Sequence, residues 1–123
     1  MGKLQMKRVY DDLSDVTGKR ILVDRIWPRG VSKEKLALDR WEKEITPTTA
    51  LRKAFNHQPE KFDWFKQAYL KELVANPAIP KFVEELRTWL NSEDVVLLYG
   101  AKDPVYNHVV VLKKYLLEQL DKK

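Results

Sequence analysis

The sequence predicts an α/β fold: a small three-layer sandwich in which a mainly parallel sheet is flanked by helices. Two observations lead there. Short apolar runs alternate with stretches of helical periodicity, and the clearest run, Val95 to Tyr99, is apolar at five consecutive positions, as in a strand covered on both faces. With 123 residues there is chain for one hydrophobic core, so residues 1–123 are expected to form a single domain.

In chain order, "LQMKRVY" (4–10) has strand character, with β-favouring Val9 and Tyr10 at its end. "DDLSDVTGK" (11–19) supplies the caps and permissive backbone of a turn. "RILVD" (20–24) is the next strand, and "LALDRWEKEI" (36–45) holds a short strand near 37–42. Thr48 or Thr49 opens a helix that runs through Phe55. Pro59 starts another, with Phe62, Phe65, Tyr69 and Leu73 on one face, and Asn76-Pro77 stops it. Ile79, Phe82, Val83, Leu86, Trp89 and Leu90 form a second helical stripe. After the strand within 94–101, Asp103 is the expected N-cap and Pro104 the first residue of a last helix through 120. Its core face would carry Val109, Leu112, Leu116 and Leu120, with Val110 and Leu117 beside it.

Hydrophobic residues make up 44% of the chain and charged residues 33%, the balance of a soluble globular protein. No apolar run approaches the roughly 18 residues of a membrane span, and "MGKLQMKRVY" has no apolar core of a secretory signal. The absence of cysteine excludes disulfides and thiol catalysis and fits a cytoplasmic setting. The net charge of +5 is uneven: residues 1–62 hold 14 Lys and Arg against 9 Asp and Glu, whereas residues 63–123 hold 9 of each. An excess of this kind suits an anionic partner, a small phosphorylated ligand or nucleic acid, and equally a solvated basic surface.

Two loops concentrate the chemistry. "DRIWPRG" (24–30) follows one strand and "YGAKDPVYNH" (99–108) follows another. If the strands are parallel, both loops emerge at the carboxyl edge of the sheet, where open α/β sheets bind ligands. Asp24 and His108 are candidate acid–base groups. Arg25, Arg29 and Lys102 are candidate anion-binding cations, and Trp27 could stack on a ring. Asp103 and Asn107 belong to the same candidate ligand site, at a helix N-terminus that presents N–H groups to an anion. Each has a purely structural alternative: Arg25 or Arg29 pairing with Asp24 to clamp the turn, Trp27 packing, Asp103 capping.

The phosphate-loop, dinucleotide and zinc-protease signatures are absent, as is the serine-hydrolase elbow. With His57 and His108 as the only histidines, no structural zinc site is expected. No cofactor is predicted; a magnesium ion would rest on Asp24 and Asp103 alone.

Three blocks, "VDRIWPRGVSKEK", "LRKAFNHQPEKFDWFKQAYLKEL" and "LLYGAKDPVYNHVVVL", resemble the YeaO-like family of small bacterial proteins from about Lys7 to Leu117. The resemblance implies a small cytoplasmic α/β domain and transfers no catalytic roles. It adds emphasis to "FNHQPE": if that loop folds over the same rim, His57 joins Asp24 and His108 for acid–base work. Three readings follow. One is a protein binding a small phosphorylated or nucleotide-like ligand, with or without acid–base chemistry. The others are a nucleic-acid-binding accessory protein and a non-catalytic interaction protein.

Overall fold

The computed structural model describes residues 2–122. Strands β1 (Leu4–Arg8), β2 (Lys19–Leu22), β3 (Arg40–Trp41) and β4 (Val95–Tyr99) form one sheet in the order β1-β4-β2-β3. Every pairing is parallel. The five apolar residues of β4 explain its place. It lies between β1 and β2, all five are buried, and Leu97 faces Met6 on one side and Ile21 on the other. The expected α/β sandwich on a parallel sheet is what the chain forms.

The two faces of the sheet are covered unequally. Alternate side chains point to opposite sides, and Leu4, Ile21, Val23, Val95, Leu97 and Tyr99 join the larger core. Over that face pack helices α2 (Thr49–Phe55), α3 (Phe62–Ala75), α4 (Ala78–Leu90) and α5 (His108–Asp121). Leu22, Val96 and Leu98 point the other way, to a smaller core closed by Val9, Leu13, Leu36, Trp27 and Trp41. That layer is made of loops and one helical turn, α1 (Lys33–Leu36), which the hydrophobic pattern does not announce. Ser32 caps it by accepting the Lys35 N–H at 3.0 Å, and its purpose is to seat Leu36, fully buried.

The predicted helices 59–75 and 78–90 form with the expected faces, the first entered through a 3-10 turn at Pro59–Lys61. Thr48 caps α2 through a hydrogen bond from the Leu51 N–H. The last helix departs from expectation. It begins at His108, not at Pro104, and its N-cap is Asn107, not Asp103. Asn107 Oδ1 accepts the N–H groups of Val109 (2.9 Å) and Val110 (3.1 Å). Asp103 instead closes a separate turn, its Oδ1 accepting from Val105 and Tyr106. Asn107 Nδ2 ties the two by donating to the Asp103 carbonyl at 2.7 Å. On α5 the buried residues are Val109, Val111, Leu112 and Leu116, while Leu117 is exposed. Val111 is covered because α5 packs on the sheet and on α3 and α4 at once. No helix among the described residues is long and apolar enough to cross a membrane.

Candidate functional site

Because β2 and β4 are adjacent and parallel, the loops after them meet at one rim, as the spacing predicts. Between them and α2 lies a cleft of about 780 Å³. All nine candidate residues line it: Asp24, Arg25, Trp27, Arg29, His57, Lys102, Asp103, Asn107 and His108. Arg52, Phe55 and Phe65 complete the floor and wall.

The centre is a tie between the two loops. Asp24 Oδ2 accepts the Gly100 N–H at 2.8 Å, and Oδ1 stands 3.4 Å from His108 Nε2. The same nitrogen is 2.6 Å from the Val23 carbonyl oxygen. Both neighbours are acceptors, so Nε2 carries the proton and donates to Val23, which leaves Nδ1 proton-free in the neutral ring. The Asp24 carbonyl is held in turn by the Trp41 indole N–H at 2.6 Å. Gly100 leaves little room for a side chain: a Cβ there would sit 3.0 Å from Asp24 Oδ2, so the carboxylate would have to give way.

The His108 and Asp24 side chains are only 17% and 16% exposed. Burial raises the Asp24 pKa, against opposing pulls from His108 and the Gly100 N–H. Burial likewise depresses that of His108, against the attraction of Asp24. A histidine whose folded pKa lies below its unfolded value of about 6.5 takes up a proton less readily in the folded state than in the unfolded one. Its contribution to stability is therefore lost as pH falls below about 6.5. The raised Asp24 acts with opposite sign at lower pH, since its buried charge is relieved on protonation. Stability measured from pH 7.5 to 5.5 should fall more steeply for the wild type than for His108→Gln; parallel profiles would refute the assignment.

The cations divide into two groups. Arg25 is spent on structure, donating from Nε to the Pro47 carbonyl (2.9 Å) and from Nη2 to that of Thr46 (3.3 Å). Trp27 is likewise a packing residue: its indole N–H donates to the Val31 carbonyl and its ring meets Trp41 edge-on at 5.4 Å. Neither arginine of the loop pairs with Asp24, so the clamp of the turn is His108 with Gly100. Arg29 and Lys102 are exposed and make no side-chain hydrogen bond or ion pair among the described residues. Arg52 was not singled out by its motif, yet its positive charge bears on both Asp24 and His108. Helical phase could have found it, one residue beyond core-facing Leu51 and three before Phe55.

His57 lines the rim, exposed, and Asn56 and His57 both have positive φ (50° and 53°). Asn56 tolerates this as the C-cap of α2; His57 holds a strained backbone at the cleft edge. Of the two carboxylates weighed for magnesium, Asp24 bonds to Gly100 and lies beside His108, and Asp103 bonds within its own turn. Among the described residues no three of His, Cys, Asp and Glu are grouped as for a metal ion.

Residues 3–123 match the family described as "Inactive DUF488-N3 subclade". The chain is 44% identical over 113 residues, 92% of its length and 96% of the relative's, to uncharacterized protein YeaO of Escherichia coli (strain K12). It is 34% identical over 114 residues, 93% of both chains, to uncharacterized protein Rv3073c of Mycobacterium tuberculosis (strain H37Rv), and equally to Mb3100c of Mycobacterium bovis. No solved structure matches it. The chain belongs to the DUF488-N3i family, and the resemblance to YeaO-like proteins carried by its three sequence blocks is borne out.

Proposed function

We propose that the cleft at the carboxyl edge of the sheet binds a small anionic ligand, phosphorylated or nucleotide-like, in the cytoplasm. The observation that carries this is the charge of the cleft wall. Arg25, Arg29, Arg52 and Lys102 stand against Asp24 and Asp103, and three of the four cations have no internal partner among the described residues. Its volume of about 780 Å³ falls in the range of sites that hold drug-sized ligands, roughly 300–1,000 Å³. The reading is of recognition without turnover. His108 Nε2 and both oxygens of Asp24 face internal groups, which suits a tie that shapes the cleft better than a proton relay. The description "inactive" of the family fits the same reading.

A thermal-shift panel of phosphate, sulfate, sugar phosphates, nucleotides and short oligonucleotides, with and without magnesium, tests it. A ligand at about 100 times its Kd stabilises by about 2.7 kcal/mol, enough to raise the midpoint of a chain this size by several degrees. A shift with a small anion is expected. A shift confined to oligonucleotides, with the steep salt dependence of phosphate-backbone binding, would replace this reading with nucleic-acid binding.

A further inference from the structure

The two loops are not joined as a parallel ladder would join them. The Val23 N–H still donates to the Leu98 carbonyl at 3.0 Å, and the next rung would run from the Gly100 N–H to the Val23 carbonyl. Side chains replace both halves of that rung. Asp24 Oδ2 accepts the Gly100 N–H at 2.8 Å, and His108 Nε2–H donates to the Val23 carbonyl at 2.6 Å. The ladder ends one rung early, and His108 stands at the break as part of the cleft wall. One edge of the imidazole is fixed in this way and the other is free. Nδ1 has no hydrogen-bond partner, and the one buried side-chain nitrogen or oxygen left so among the described residues is Arg52 Nε, so Nδ1 is open to solvent. The side chain is 17% exposed, and the residue lines the cleft. With the proton on Nε2, Nδ1 presents a lone pair and can only accept.

We infer that His108 Nδ1 accepts a hydrogen bond from a hydroxyl of the cleft's ligand, so that the ligand is a phosphate ester bearing a free hydroxyl, as sugar phosphates do. This rests on the reading of the cleft as an anion site and names its ligand class. Phosphate oxygens are acceptors themselves and gain nothing from a lone pair. The phosphate therefore belongs at the exposed Arg29 and Lys102, and a different part of the ligand meets His108. An ammonium donor is disfavoured by those cations together with Arg25 and Arg52 on the same wall. The donor is neutral, and in a small phosphate ester the neutral donor at hand is a hydroxyl. A cleft of about 780 Å³ has room for both groups. Inorganic phosphate can use the cations but not His108.

The test is an NMR titration of the wild type and His108→Gln with glycerol 3-phosphate, n-propyl phosphate and inorganic phosphate. Glycerol 3-phosphate should bind the wild type about fivefold more tightly than n-propyl phosphate, which has the same carbon chain and charge without the hydroxyls. His108→Gln sets an amide N–H in place of Nε2–H and no acceptor in place of Nδ1, so it should keep the Val23 bond and bind the two esters within about twofold of one another. In a long-range 1H–15N spectrum the wild-type Nδ1 should be unprotonated. Its resonance should move with glycerol 3-phosphate and stay in place with n-propyl phosphate, a readout that does not depend on the variant folding. Wild-type affinities for the two esters within about twofold overturn the inference alone. So does an Nδ1 that carries the proton or does not respond, or a preference that survives in His108→Gln. A wild type that binds neither ester nor phosphate overturns the inference together with the proposed function.

Discussion

Phe65→Ala should lower stability by about 3–5 kcal/mol, the cost of emptying a large aromatic site in a packed core. Phe65 is 1% exposed and lies stacked on Phe55 with ring centroids 4.3 Å apart; Tyr69 and Phe62 close its other sides at 5.7 and 6.2 Å. The ladder joins α2 to α3 under the cleft, so the hole has little freedom to collapse without moving Arg52. Urea denaturation checks the loss, which for a chain of this size corresponds to a fall of more than about 10 °C in Tm. A change below about 1 kcal/mol would mean that the aromatic ladder does not hold α2 in place.

Asp24→Ala should cost about 2–3 kcal/mol, chiefly by leaving the Gly100 N–H without an acceptor and His108 without its carboxylate. Part of the loss is offset, because burying the carboxylate is itself unfavourable and pushes its pKa up. Val23 and Gly100 directly follow the neighbouring strands β2 and β4, so the same substitution should loosen the two loops relative to one another. Denaturation together with amide exchange at residues 99–108 checks both effects. A variant as stable and as protected as the wild type would contradict the tie.

The fold was legible where local pattern and global packing agree. The apolar run of β4 is the central strand, and Thr48, Pro59 and Asn76-Pro77 punctuate the helices as their backbone chemistry requires. The rim was legible for a topological reason, since parallel strands must send their following loops to one edge. Two choices turned on contacts that no local pattern encodes. Asp103 and Asn107 are both good caps, and what separates them is that Asn107 is buried, 2% exposed, with its amide bound back to the Asp103 carbonyl. Arg25 reads as a free cation until Thr46 and Pro47 arrive to use it. Arg52 lies inside the block "LRKAFNHQPEKFDWFKQAYLKEL" without standing out in it, and its lack of an internal partner is visible only when α2 is docked over the sheet. The layer over Leu22, Val96 and Leu98 is built from loops, which have no periodicity to read.

The most direct measurement of the central claim is a titration of the 15N-labelled protein with AMP, followed by amide and arginine Nε–H resonances. Saturable shifts confined to Asp24–Gly30, Arg52–His57 and Gly100–His108 are expected, with the exposed Arg29 among the side chains that move. Shifts scattered over other basic surface, around Lys113 and Lys114, or none at millimolar AMP, would contradict the cleft as an anion-binding site.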